Sequence, residues 1–239
     1  MPSKQAKKAR AAQKRKAPVV AERKGLSPAL IAGIVVVVLF AVAVGFGVYR
    51  AQSKATEAAG AVPPAATTTG VPVGKPDAPA TVDIYLDFQC PVCRIYEETV
   101  GPAIDSLIAN GSAKVIYHPL AFLDQASSDQ YSTRSSSAAG CASQANVFPQ
   151  FAKLLYANQP PEGGAGLPDS QLIALGKQAG APDSFAQCVT NKTYKGWSAK
   201  LTDEASKAGV NATPTVMVNG KKIGNTEAEL REAVTAAGK

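Results

Sequence analysis

Along residues 80–88, ATVDIYLDF, apolar and polar side chains alternate, so that Val82, Ile84, Leu86 and Phe88 share one face of an extended chain. Period-2 alternation in β-branched and aromatic residues predicts a strand that stops just short of Cys90. The period then changes. From Pro91, a residue suited to the first position of a helix, Tyr96, Val100, Ile104, Leu107 and Ile108 recur at helical intervals. A second strand is predicted over 112–122, and a hairpin over 213–225 turning near Asn219-Gly220. A closing helix over 226–238 puts Leu230, Ala233 and Val234 inward. Between second strand and hairpin, NVFPQFAKLLYAN, DSQLIALGKQAG and DSFAQCVTN read as helices separated by Pro and Gly. The order is strand, helix, strand, helical insert at about 125–210, hairpin, helix.

Upstream, no period is visible because residues 29–49 carry no charge at all. Twenty-one such residues are long enough for a helix to cross a hydrocarbon core of roughly 30 Å. Residues 1–28 hold nine Lys or Arg against Glu22 alone. Lys and Arg resist translocation, so the expectation is a basic cytoplasmic tail, a single-pass anchor over 29–49 and an extracytoplasmic C-terminal part in the cell membrane. A cleaved signal peptide is the competing reading, but its apolar region usually runs about 7–15 residues. Residues 50–73, rich in Ala, Thr, Pro and Gly, read as a flexible linker, which leaves 74–239 as one domain.

Charge narrows the function classes. The formal net charge of +7 belongs to the tail, since residues 71–239 carry fourteen basic and sixteen acidic side chains. The domain itself has no basic surplus with which to hold nucleic acid. The tail is first a topology signal, and anionic lipid is a secondary partner for it.

All four cysteines follow the apolar run, on the side where disulfides persist. Cys90 and Cys93 form a C-P-V-C, a spacing shared by zinc sites and redox centres. Cys141 and Cys188 are too far apart in sequence to complete a zinc ribbon, and His118 is the only histidine, so neither metal nor cofactor is expected. The predicted helix places Cys90 at its N-terminus, where unpaired N–H groups and the dipole favour a thiolate, with Cys93 one turn in and shielded.

The run GKPDAPATVDIYLDFQCPVC followed by ATPTVMVNG resembles the DsbA-type branch of the thioredoxin superfamily, in its single-span membrane-anchored bacterial form, over roughly 71–239. The resemblance implies an α/β thioredoxin-like fold with a helical insertion and a Cys90/Cys93 redox pair. It also implies a cis Thr213-Pro214 bond beside Cys90, with Thr213 and Pro214 presenting backbone to an extended peptide. The implied activity is thiol-disulfide exchange, most readily disulfide donation to exported cysteine-containing proteins. Reoxidation would come from a quinone-linked membrane partner of the DsbB or vitamin K epoxide reductase type.

Direction is open on these residues. Many relatives carry histidine where this chain has Val92, and valine offers neither charge nor hydrogen bond to a thiolate. A membrane-tethered reductase is therefore an alternative, and a non-catalytic peptide-binding module is a third reading. Pro91 and Val92 are the active-site neighbours. Cys141 and Cys188 are read as a structural disulfide, with a loop closure worth about 4 kcal/mol in the chain-entropy model. Asp83 and Asp87 read as surface, turn or capping residues, with relay of the Cys93 proton as the alternative. His118 reads as a packing residue and Trp197 as core of the insert.

Overall fold

The computed structural model describes residues 37, 38, 40–47 and 60–238. The chain divides into two units, Met1–Tyr49 and Arg50–Lys239. The basic tail and most of the expected anchor lie outside the described residues, as do linker residues 50–59. Within the first unit, residues 37, 38 and 40–47 are helical, with Val37, Val38, Phe40, Val42 and Val44 exposed. No helix among the described residues is long and apolar enough to cross a membrane.

The second unit is built on a five-stranded sheet of β1 (Val71–Val73), β2 (Ala80–Leu86), β3 (Ala113–Pro119), β4 (Thr215–Val218) and β5 (Lys221–Ile223). Their order is β1-β3-β2-β4-β5. Only β2 and β3 run parallel; the other pairs are antiparallel. The parallel pair is joined by helix α1 (Pro91–Ala109), as a crossover between parallel strands requires. On β2 the alternation read from sequence is the observed burial, with Ala80, Val82, Ile84 and Leu86 inside and Thr81, Asp83 and Tyr85 half-buried. The α1 stripe of Tyr96, Val100, Ile104 and Leu107 is buried, while Ile108 is at its margin.

The insert consists of α2 (Tyr131–Gln144), α3 (Phe148–Ala157), α4 (Asp169–Gln178), α5 (Ser184–Thr190) and α6 (Lys195–Lys207). Helix α2 packs on all four others. Its interior is Ser- and Ala-rich, which gives only a weak amphipathic signal, and it carries Cys141. The hairpin turns at Asn219 and Gly220, both at positive φ (47° and 76°), as Asn-Gly pairs permit. The Asn219 Oδ1 accepts from the Thr81 amide at 2.8 Å, tying the turn to β2. Helix α7 (Glu227–Ala237) starts with a reciprocal capping box between Thr226 and Glu229 and buries Leu230 and Val234.

Part of the stretch read as linker belongs to the fold. Val71–Val73 pair with β3, and Val71 is buried. Ahead of them, the Thr67 carbonyl accepts from the Trp197 indole at 2.9 Å, and the Thr69 carbonyl meets His118 Nδ1. At Gly70 a Cβ would lie 2.6 Å from the Tyr117 carbonyl, so only glycine fits. Such a strap is held through its main chain, and composition, which reports side chains, does not reveal it. Trp197 is accordingly more than insert core.

Candidate active site

Strand β2 and helix α1 meet at Cys90, which occupies the N-cap with φ −74° and ψ 118° and makes no side-chain cap. Pro91 takes the next position, where its missing N–H costs nothing because the first turn has no internal partner for it. Cys90 is 6 % exposed and Cys93 2 %, and both are free thiols. Cys90 is thus more enclosed than a helix terminus alone suggests. Val92 and Ile95, on the first turn beside it, are the exposed large apolar side chains among the described residues of this unit.

The two sulfurs have opposite surroundings. The Cys90 thiol is pulled down to about 6, chiefly by the Cys93 thiol donating to it, with burial opposing and the Cys93 and Val92 amides assisting. Cys93 is pushed far up, first by burial and then by its hydrogen bond to Cys90 and the negative charge there. A thiolate therefore forms at Cys90 while Cys93 stays protonated. The N–H groups that sequence reasoning placed first are present but secondary to the neighbouring thiol.

Across the groove, the Thr213-Pro214 bond is cis. The Cys90 thiol lies 3.4 Å from the Thr213 carbonyl, to which it donates when protonated. Thr215 Oγ1 donates to the Ala212 carbonyl at 2.8 Å and so shapes the bend. The β2–β4 pairing runs out at Tyr85 and Thr215, so Thr213 lies beyond the last paired residue. The bend therefore stands outside the sheet ladder, beside Cys90.

The insert grips the other side. Asp87 is fully buried, and its carboxylate accepts from the Gln89 amide at 2.9 Å, the Leu123 amide at 3.0 Å and the Ser132 hydroxyl at 2.7 Å. Burial nevertheless holds its carboxyl up at about 6, with Cys90 adding to the rise. Gln159, just after α3, donates to both the Phe88 and Cys90 carbonyls at 2.9 Å. Asp87 is therefore a buried turn residue cross-tied to α2, and no surface residue. Gln159, Ser132 and Gln89 were missed, because long-range polar ties leave no periodic trace.

The remaining candidates lie elsewhere. His118 is buried in the sheet, stacked on Tyr85 at 4.1 Å between ring centroids, with Nε2 3.0 Å from Asp83. Cys141 on α2 and Cys188 on α5 are bridged, Cα to Cα 5.9 Å. Among the described residues no group of three or more His, Cys, Asp or Glu could hold a metal ion.

A sequence model of the thioredoxin family matches residues 66–236. DsbA of Mycobacterium tuberculosis, in its oxidised crystal form, superposes with a TM-score of 0.64 at 31 % identity, over 71 % of this chain and 93 % of that one. Disulfide bond formation protein D of Bacillus subtilis is 28 % identical over 65 % of this chain and 71 % of its own length. The Mycobacterium tuberculosis serine/threonine-protein kinase PknE is 33 % identical over 62 % of this chain, which spans only 28 % of the kinase.

Proposed function

The chain belongs to the thioredoxin family, as a DsbA-type thiol-disulfide oxidoreductase, and from that premise we propose that it donates disulfides to exported cysteine-containing proteins. The observation that carries this reading is the asymmetry of the pair, a Cys90 thiol held at about 6 beside a Cys93 thiol pushed upward. A stabilised Cys90 thiolate favours the reduced pair, and a pair that favours reduction oxidises its substrates.

In the forward reaction a substrate thiolate attacks Cys90 of the oxidised pair and expels Cys93, giving a mixed disulfide. A second substrate cysteine then attacks the substrate sulfur of that bond. Cys90 leaves as thiolate, and the substrate departs with two fewer electrons and a new disulfide. Thr213 and Pro214 hold the substrate backbone by strand addition during both steps. The Cys141–Cys188 bridge is structural in this scheme.

The uncharged run 29–49 and the nine basic residues ahead of it support a single-pass anchor with the thioredoxin-like domain outside the cytoplasm. A membrane quinone-linked enzyme of the DsbB or vitamin K epoxide reductase type would then reoxidise Cys90/Cys93. The deciding experiment is the equilibrium potential of this pair in the full-length chain in detergent, titrated in glutathione buffers and read by alkylation and mass. With Cys90 near 6, the expected value lies between about −270 and −120 mV, the thioredoxin and strongly oxidising ends of the scale. A value at or below about −270 mV overturns the oxidase reading in favour of a reductase.

A further inference from the structure

The helical insert holds a small polar cavity whose lining includes no residue of the redox site. It has about 30 Å³ of room for the centre of a water-sized sphere, roughly two to three times what one water needs. Arg134 and Ser137 of α2, Asp129 just ahead of that helix, Asp169 at the start of α4, Lys192 in the turn between α5 and α6, and Lys195 at the start of α6 line it.

The hydrogen bonds and charges of this lining are incomplete. Ser137 is 4 % exposed, and its hydroxyl is buried with no hydrogen-bond partner among the described residues. A buried hydroxyl in that state costs stability until an acceptor reaches it. Arg134 is already engaged, donating to the Asp129, Leu167 and Ala165 carbonyls and pairing with the Asp169 and Asp129 carboxylates at 3.0 and 3.3 Å. Both acids of the cavity are thus committed to the guanidinium. The Lys192 and Lys195 ammonium groups have no ion pair or hydrogen bond among the described residues, so the lining carries one positive charge in excess. Helix α6 adds to that excess, because its first turn has no acidic residue and no side-chain cap to offset the positive end of its dipole beside Lys195.

We propose that this cavity binds a phosphate-class oxyanion, which accepts from the Ser137 hydroxyl and pairs with Lys192 and Lys195. A tetrahedral oxyanion has an oxygen for each of these three donors, one more than a carboxylate supplies. Bound there, it ties α2 to the turn between α5 and α6, a link additional to the Cys141–Cys188 bridge from α2 to α5. Free phosphate and an anionic lipid headgroup share this chemistry, and the test separates them.

The test is thermal unfolding of the full-length chain in neutral detergent, in 10 mM inorganic phosphate against sodium chloride of equal ionic strength. The expected result is a midpoint about 3–6 °C higher in phosphate, for a Kd on the order of 1 mM. Two variants remove donors at little cost to the fold. Ser137→Ala deletes a hydroxyl that has no partner, and Lys192→Gly replaces a cation with the residue best suited to its left-handed backbone, φ 52°. Each should unfold close to the wild type in chloride and lose the phosphate response. Phosphatidylcholine nanodiscs with and without phosphatidylglycerol supply the headgroup arm. A rise seen only with phosphatidylglycerol, and lost in both variants, assigns the oxyanion to lipid; the basic tail is the same in every variant and cannot produce that loss. No rise in either arm overturns the site. A rise that either variant keeps overturns it too, since general salting-out by phosphate would act on all three chains alike.

Discussion

The molecule carries two cysteine pairs in two settings. Cys90 and Cys93 sit three apart at the start of α1, free and unequal, where a neighbouring thiol and backbone amides stabilise one negative sulfur. Cys141 and Cys188 are 47 apart in sequence and join α2 to α5 beside Ala145, Pro182 and Phe185. Both sulfurs there are committed to each other, and neither is a free thiol. Surroundings therefore decide which sulfurs exchange and which only hold the chain together.

The sharpest way to break the comparison is to remove one pair at a time. Cys90→Ser is expected to abolish exchange with glutathione and with reduced protein substrates, leaving the fold intact in thermal melts; retained turnover would mean the sulfur chemistry lies elsewhere. The double change Cys141→Ala and Cys188→Ala should instead cost about 4 kcal/mol in denaturant unfolding of the oxidised chain. It should leave the Cys90/Cys93 potential where it was, and a moved potential would show that the two pairs are coupled.

Acidity offers a subtler contrast. Cys90 has its thiol lowered from the ordinary 9.0 to about 6, so it contributes stability to the reduced protein that is full above about 9 and lost as pH falls through about 6. Asp87, raised from 3.8 to about 6, contributes stability that is full below 3.8 and lost as pH rises through about 6. Relative to a Cys90→Ser, Asp87→Asn reference, the reduced chain should therefore be least favoured near pH 6, as unfolding midpoints across pH 4 to 9 would report. The smallest effect is expected for Gln159→Ala. Losing two hydrogen bonds to the Phe88 and Cys90 carbonyls should cost roughly 1–2 kcal/mol and loosen the grip of the insert on the Cys90 loop. Faster hydrogen exchange at residues 87–90 would register it.

Much of this architecture was legible in the residues themselves. Val82, Ile84 and Leu86 announced β2, Pro91 and the stripe from Tyr96 to Leu107 announced α1, and Asn219-Gly220 marked the hairpin, because each signal is local and periodic. The cysteine pair was legible as chemistry only once the strand and helix around it had been read. The strap at 67–73 was not, since it is held by main-chain groups and by Trp197 and His118 far along the chain. Asp87 could be noticed but not placed: its partners Leu123 and Ser132 are 36 and 45 residues away.

The two outer strands have a consequence for traffic with unfolded chains. Strand β1 is three residues long with Pro72 at its centre, and proline has no N–H to offer a new neighbour. Strand β5 is equally short and begins with Lys221 and Lys222, both exposed. Short, proline-bearing and lysine-bearing edges resist adventitious strand pairing and the aggregation it seeds. The sheet is thereby closed along both margins, and the proposed strand addition at Thr213, beyond the last paired residue of β4, would meet no competing edge.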